Sequence, residues 1–163
     1  MKKNIWTDQH LMFCIMIGVI CFGLLLLKAT LHPAVIIGDS MNPTYKDGWV
    51  ISSSVYEEGD SLQAGDVVIF HTSAHKQLIK RVVAVGGDTV QIKYGILYRN
   101  GEKTEEIYPQ MEDAGIAADP ITLNTNEIFC LGDNRNNSTD SRKLGCISLS
   151  DVDYVVREVL IKW

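Results

Sequence analysis

Residues 11–27 constrain this chain more than any other part, because none of them carries a charged or strongly polar side chain. At ~1.5 Å of rise per residue, a helix over this run is roughly 25 Å long, close to the ~30 Å thickness of the hydrocarbon core of a bilayer. The Lys28 side chain can extend toward the lipid headgroups and add to that length. The sequence therefore predicts one transmembrane anchor over residues 11–28.

The charges before the apolar run predict its orientation. Lys2 and Lys3 favour a cytoplasmic N-terminus over residues 1–10, so that residues 29–163 form an extracytoplasmic domain. A buried core helix and a cleaved secretory signal are the other interpretations. A helix that is apolar on every side is unusual in a soluble core, and the run exceeds the ~7–15 apolar residues of a secretory signal. The residues after Lys28 also offer no small-x-small cleavage site.

Length and charge exclude several function classes. A chain of 163 residues has room for one domain beside the anchor. Its formal net charge of -5 argues against a surface that binds nucleic acid. No spacing of cysteines and histidines is typical of a metal site. Cys130 and Cys146 follow the anchor, and the sequence leaves open whether they form a disulfide or remain free thiols.

After Pro33 the pattern changes to short β-branched runs separated by glycine and aspartate. Such runs are typical of strands, and their close spacing predicts a mainly β domain made of antiparallel sheet. Tyr94-Gly95 and Asn100-Gly101 mark a hairpin within it. Residues 102–126 have the weakest pattern and are predicted to form a variable surface loop. The predicted strands cover residues 34–37, 48–55, 67–71, 78–85, 89–93, 96–99, 127–131 and 154–163.

Three segments carry polar groups in positions that suggest chemistry. Ser40 lies in a Gly-Asp-Ser-Met-Asn-Pro turn, where a serine more often only shapes the turn. Lys80 lies in an aliphatic strand and shares a face with Leu78 and Val82 by alternation, although an edge-strand lysine that reaches water has the same pattern. Residues 131–142 hold two aspartates and two arginines, which fit a hydrogen-bonded network or a hydrophilic turn.

Taken in chain order, these three segments and residues 65–70 resemble the motifs of bacterial type I signal peptidases, also called leader peptidases. This family consists of membrane-anchored serine/lysine proteases. The resemblance extends from the anchor to the C-terminal strand, with residues 102–126 outside it. The matching motifs are residues 40–44 (SMNPT), 65–70 (GDVVIF), 80–88 (KRVVAVGGD) and 132–142 (GDNRNNSTDSR).

The resemblance implies a catalytic pair in which Ser40 is the nucleophile and Lys80 the base, with no metal and no cofactor. It implies that Ser138 orients the Lys80 amine and that the Ser40 backbone N–H binds the oxyanion. Met41 is expected to pack in the substrate groove, although ordinary core packing fits the same residue. A second oxyanion donor stays open, because Gly38 lies where some members carry a serine. The resemblance also implies ion pairs that support the site, formed by Arg81, Asp133, Asp140 and Arg142.

A lysine can serve as this base only when it is uncharged. At an ordinary pKa of about 10.4, only about one lysine in a thousand is neutral near pH 7.4, which amounts to roughly 4 kcal/mol. Burial among aliphatic side chains can lower a lysine pKa by up to ~3–5. The apolar strand around Lys80 is therefore expected to make the amine usable near neutral pH.

The function implied by the resemblance is that of a membrane-bound serine endopeptidase, which removes signal peptides from secreted preproteins through an acyl-enzyme. Its substrates would carry small residues one and three positions before the cleaved bond. The enzyme would be a single-pass protein of the cell membrane, in contact with the lipid bilayer, monomeric and without nucleic-acid partners. The alternative is a signal-peptidase-like module that is noncatalytic or dedicated to one assembly pathway of surface proteins.

Overall fold

The structure of this chain is a computed structural model. It describes residues 5–30, 32–105 and 107–162, and within the first helix it describes the side chains from residue 10 to residue 23. The predictions that rest on Lys2, Lys3 and Trp163 therefore lie outside the described residues.

The chain divides into two compact units, Met1–His32 and Pro33–Trp163. The first unit contains one helix, α1 (Ile5–Thr30), which covers the predicted anchor and extends beyond it at both ends. Among the described residues, no helix has the length and apolar character that crossing a membrane requires.

The second unit is built of antiparallel sheet, which confirms the predicted mainly β fold. All eight predicted strands are present, with ends that differ by a few residues. A short helix, α2 (Ser141–Leu144), and three two-residue strands were not predicted, because such short elements show no periodicity. The strands are β1 (His32–Val35), β2 (Val50–Val55), β3 (Val67–His71), β4 (Gln77–Val85), β5 (Thr89–Lys93), β6 (Ile96–Arg99), β7 (Glu102–Lys103), β8 (Ile121–Thr122), β9 (Glu127–Leu131), β10 (Ile147–Ser148) and β11 (Val152–Ile161).

The strands form two sheets. The larger has the order β1-β2-β11-β3-β4-β9-β10, and the smaller has the order β7-β6-β5-β8. The β5–β6 hairpin turns at Tyr94 and Gly95, whose φ angles of 51° and 76° match the left-handed turn that the sequence predicts. In the larger sheet β4 lies between β3 and β9, so that the strand carrying Lys80 is held on both edges.

Three apolar clusters form the core, and β4 contributes to two of them from its opposite faces. Val82 is buried with Val68 and Phe70 in cluster 2, and Val83 is buried with Val90 and Phe129 in cluster 1. Neighbouring residues of a strand face opposite sides, as strand alternation requires. The strand beneath the candidate site is thus packed on both sides. Cluster 1 includes Val90, Ile92, Leu97 and Phe129; cluster 2 includes Val68, Phe70, Ile128 and Cys130; cluster 3 consists of Ile36, Met41, Ile51, Val67, Ile69 and Val156.

Residues 102–126 differ from the predicted surface loop. The segment contains β7, β8 and a 3-10 turn over Gly115–Ala118. Its side chains Met111, Ala117 and Leu123 are buried in cluster 1. These three apolar residues are too far apart in the sequence to produce a strand or helix pattern, which is why the segment looked like an unstructured loop.

The cysteines left open by the sequence are both free thiols. Cys130 is buried in cluster 2, whereas Cys146 packs against cluster 1. The two side chains therefore belong to different clusters, and no disulfide joins them. Burial raises the pKa of the Cys130 thiol well above its ordinary value, which keeps it protonated and unreactive.

Candidate active site

Ser40 and Lys80 lie together, although 40 residues separate them in the chain. Ser40 is in the turn that follows β1, and Lys80 is in the middle of β4. The Lys80 Nζ is 2.7 Å from the Ser40 Oγ and donates a second hydrogen bond of 2.7 Å to the Ile79 carbonyl oxygen. A primary amine is thus in hydrogen-bond contact with a hydroxyl.

The strand register explains why this amine is buried. Lys80 lies opposite Val68 of β3 and on the same face as Leu78 and Val82, all of which belong to or pack against cluster 2. Only 2% of Lys80 is exposed. Burial, opposed by the negative charge of Asp140, lowers the pKa of Lys80 from 10.5 to about 8. About a quarter of the amine is then neutral at pH 7.5.

The turn that carries Ser40 is held by two residues that the sequence analysis did not single out. The Asn134 side-chain amide donates to the Asp39 carbonyl oxygen at 3.1 Å, and the Asn134 N–H donates to the Ser40 carbonyl oxygen at 3.0 Å. The Gly38 N–H donates to Asp47 Oδ1 at 2.7 Å. No local sequence signal identifies contacts between such distant segments. Asp39 itself is exposed.

The first predicted ion pair joins β4 to the segment after β9. The Arg81 Nε and Nη2 atoms donate to the two carboxylate oxygens of Asp133 at 2.8 and 2.7 Å, and Arg81 Nη1 donates to the Gly65 carbonyl oxygen at 2.7 Å. Asp133 is fully buried. Such a pair of hydrogen bonds fixes both the distance and the angle between the two side chains. It therefore holds Arg81, the residue next to Lys80, in place.

The second predicted ion pair joins Asp140 and Arg142 and holds residues 132–142 together. Arg142 donates from Nε and Nη2 to the Asp140 carboxylate, each at 2.8 Å, and the Gly132 N–H adds a bond of 3.1 Å. Burial by itself would raise the pKa of Asp140, but the hydrogen bonds from Arg142 and Gly132 hold it below its ordinary value. Asp140 also caps α2 by accepting from the Arg142 N–H.

Ser138 lies beside this network without a hydrogen bond to Lys80. Its hydroxyl is buried, and within the part of the chain that the structure describes it makes no hydrogen bond of good geometry, although it is close enough to the Asp140 carboxylate to help lower the pKa of Asp140. Gly132 explains its close position, because a Cβ there would lie 2.6 Å from the Ser138 Cβ and 2.5 Å from the Ser40 carbonyl oxygen. Only a residue without a side chain fits between the two serines.

Met41 does not have the place that the sequence predicts. It is fully buried in cluster 3, where it packs with Ile36, Ile51 and Ile69. The residue after Ser40 therefore points into the core and supports the turn, instead of lining the groove described next.

A groove of about 760 Å³ contains both Ser40 and Lys80. Its walls come from β1, from the first half of β4 and from residues 136–139. In this half of β4, residues 77–80 pair with β3 alone, since β9 joins β4 only from Arg81 onward. An unpaired strand edge therefore borders the groove. The apolar lining includes Ala34, Ile36, Ile51, Ile69 and Ile79.

The histidines and acids of the described residues form neither a metal site nor a second catalytic centre with Ser40. No group of three or more metal-ligating side chains is suitably placed among them. His71 Nδ1 lies 3.1 Å from Asp153 Oδ1. His71 ends β3 and Asp153 lies near the start of β11, and neither strand carries Ser40.

Comparison with known proteins identifies the family. The family described as signal peptidase, peptidase S26, matches residues 7–163. The chain belongs to the signal peptidase family. A signal peptidase IB of Staphylococcus aureus is 34% identical, over 83% of this chain and 79% of that protein. A probable signal peptidase I-1 of Synechocystis is 32% identical, over 80% of this chain and 71% of that protein.

A solved structure is similar as well. A signal peptidase I of Enterococcus faecalis has 24% sequence identity and a TM-score of 0.47, and the match covers 63% of this chain and 98% of that one. Membership of the signal peptidase family confirms the resemblance found in the four sequence motifs, and it makes the chain a hydrolase whose activity is signal peptide cleavage.

Proposed function

We propose that this signal peptidase is a membrane-anchored serine endopeptidase that cleaves secreted preproteins with a Ser40/Lys80 dyad. The observation that carries the proposal is the 2.7 Å separation of Lys80 Nζ and Ser40 Oγ. A serine hydroxyl becomes a nucleophile when an adjacent base takes its proton. Burial supplies that base, because it lowers the pKa of Lys80 to about 8.

In the acylation half of the reaction, neutral Lys80 takes the Ser40 proton while Oγ attacks the carbonyl carbon of the scissile bond. The carbonyl oxygen gains the negative charge and accepts a hydrogen bond from the Ser40 N–H. The Lys80 ammonium then gives its proton to the leaving nitrogen and the C–N bond breaks. The mature protein departs, and the signal peptide remains on Ser40 as an ester.

In the deacylation half, Lys80 is neutral again and takes a proton from a water molecule, whose oxygen attacks the ester carbon. The tetrahedral intermediate collapses, and Lys80 returns the proton to Ser40 Oγ. Ser138 acts in this proposal as the residue that orients the amine. Its buried hydroxyl makes no hydrogen bond of good geometry among the described residues, so its oxygen is available to accept a bond from Lys80.

The substrate binds as an added strand along the unpaired edge of residues 77–80. Main-chain hydrogen bonds then give affinity, and the walls of the groove select side chains. In an extended peptide, the residues one and three positions before the cleaved bond face the same side. The aliphatic wall that includes Ile36 and Ile79 supports a preference for small residues at both positions.

The anchor in this proposal is residues 11–28. Its support is the uninterrupted apolar run of residues 11–27, and the lysines at 2 and 3 support a cytoplasmic N-terminus with the catalytic domain outside. A tether of this kind keeps the enzyme at high effective concentration toward preproteins that are themselves held at the membrane. Resistance of the full chain to extraction from membranes at alkaline pH tests this part.

The test of the dyad is cleavage of a purified preprotein, with alanine one and three positions before the bond, by the full chain in detergent. Ser40→Ala and Lys80→Met are expected to lose activity by at least about 10³-fold. The exposed residues Ser73 and Lys103 provide matched controls, and Ser73→Ala and Lys103→Met should cleave like the unmodified chain. Full activity of either dyad variant would refute the proposed dyad, whereas absence of cleavage by the unmodified chain would favour a module that does not catalyse.

A further inference from the structure

The peptide unit between Asp39 and Ser40 is fixed from its carbonyl side. The Asp39 carbonyl oxygen accepts two hydrogen bonds, from the Asn42 N–H at 3.1 Å and from the Asn134 side-chain amide at 3.1 Å. The next carbonyl, that of Ser40, accepts from the Asn134 N–H at 3.0 Å. One residue, 95 positions away from Asp39, thus binds two consecutive carbonyl groups of the nucleophile turn.

The Ser40 N–H lies on the other side of the same peptide unit. In a trans peptide the C=O and N–H groups point in opposite directions, so an anchored Asp39 carbonyl also sets the direction of the Ser40 N–H. That N–H donates no hydrogen bond to any described residue, and Ser40 borders the groove. The neighbouring Gly38 N–H is already bound to Asp47.

We propose that Asn134 is a positioning residue for the oxyanion hole, which aims the Ser40 N–H at the developing oxyanion through its bond to the Asp39 carbonyl. The inference rests on the proposed function of Ser40. Donors that are oriented before the reaction stabilise the transition state without a cost of reorganisation. A hydrogen bond accepted by the carbonyl also polarises the peptide unit and makes its N–H a stronger donor.

Asn134 contacts the peptide backbone of the Ser40 turn and not the two side chains of the dyad. Lys80 contacts Ser40 Oγ and Ile79, not Asn134, so the pH at which the amine becomes neutral should not depend on Asn134. Substrate affinity in the ground state should not depend on it either, because an uncharged carbonyl needs the donor far less than an oxyanion does.

The experiment uses two variants of the full chain in detergent. Asn134→Ala removes the side-chain donor without adding charge, and Asn134→Asp keeps the shape but replaces the amide by an acceptor. Asn126→Asp, at an exposed asparagine, is the control for the added charge. Both Asn134 variants should lose about 10- to 100-fold in kcat, less than the 10²–10³ lost when an oxyanion donor itself is removed. KM should stay within about twofold of the wild-type value in both variants, and the midpoint of the pH profile should be unchanged in Asn134→Ala, which adds no charge near Lys80.

A pair of inhibitors supplies the decisive measurement. With a peptide aldehyde, Ser40 Oγ adds to the aldehyde carbon, its proton passes to Lys80, and the carbonyl oxygen becomes an oxyanion. With the matching peptide alcohol no bond forms. The Asn134 variants should bind the aldehyde about 10- to 100-fold more weakly and the alcohol equally well.

Two results would overturn the inference: wild-type kcat and aldehyde affinity in both variants, or equal losses of aldehyde and alcohol affinity, which indicate a general structural role. Thermal unfolding of each variant shows whether it is folded, and Asn134→Asp keeps the test valid if Asn134→Ala unfolds. Ser40→Ala is assayed in parallel. If it cleaves normally, the proposed function fails; if it is inactive while the Asn134 variants are normal, only this inference fails.

Discussion

Replacing Lys80 by methionine should abolish cleavage and at the same time stabilise the fold. The amine is 2% exposed, and its burial lowers the pKa of Lys80 from 10.5 to about 8. That difference corresponds to roughly 3 kcal/mol by which the fold disfavours the charged amine relative to the unfolded chain. Methionine has a similar length and no charge, so the substitution removes this penalty.

The sign of the pH dependence follows from the same two values. Between about 8 and 10.5 the unfolded chain binds more protons at Lys80 than the folded chain, so the stability of the wild type rises with pH in this window. The penalty is fully present below pH 8 and disappears above 10.5. Methionine also leaves the Ile79 carbonyl oxygen without the Lys80 bond, which costs about 1 kcal/mol. The net gain at pH 7 is therefore about 2 kcal/mol.

The assay is thermal unfolding of the full chain in detergent at pH 7, 8, 9 and 10. At pH 7 the Lys80→Met variant should unfold about 4–8 °C above the wild type, and the difference should vanish near pH 10. Lys103→Met, at an exposed lysine, should change the unfolding temperature little at any pH. A variant that is less stable at pH 7, or a gain that is the same at every pH, would refute the view that burial of a charge is what makes Lys80 a base.

Three further predictions concern the rest of the site. Cleavage by the wild type should rise with pH along a limb centred near 8, because the pKa of Lys80 lies there and only the neutral amine accepts a proton; a limb below pH 6 would contradict this. Gly132→Ala places a Cβ 2.5 Å from the Ser40 carbonyl oxygen and should lower kcat by about 100-fold or more with the fold retained by circular dichroism; normal kcat would show that the turn can move. Asp140→Asn leaves Arg142 buried without its counter-charge and should lower the free energy of unfolding in urea by about 3–5 kcal/mol at pH 7. Since the pKa of Asp140 is depressed below 3.8, this loss should shrink only as the pH falls below that value.

Strand alternation predicts which face of β4 carries Lys80, but it left open an edge-strand lysine that reaches water, and the resemblance to signal peptidases was needed to propose a role for this residue. In β4 alternation assigned Lys80 to the face of Leu78 and Val82, and the register with Val68 places the amine among the same apolar side chains. Local pattern carries this information, because side-chain direction in a strand depends only on position along the strand. The eight longer strands were predictable from their short β-branched runs, and the β5–β6 turn from residues that tolerate a positive φ angle.

The features that could not be predicted depend on contacts between distant segments. Met41 follows Ser40 directly, and nothing in the sequence distinguishes a groove residue from a core residue at that position. Its burial results from packing with Ile36 and Ile51. The hydrogen bonds of Asn134 to Asp39 and Ser40 join segments that lie near opposite ends of the domain in the amino-acid sequence. Tertiary packing alone decides such contacts, so they leave no periodic signal.

The two ion pairs have an electrostatic role beyond holding strands together. Asp140 and Asp133 both raise the pKa of Lys80 through their negative charges, against the effect of burial. Each carboxylate is paired with an arginine at 2.7–2.8 Å. At the distance of the Lys80 amine, each pair therefore acts as a dipole. The field of a dipole is weaker than the field of a single charge. For the proposed dyad, we therefore expect Arg81 and Arg142 to reduce the effect of these two carboxylates on the pKa of Lys80.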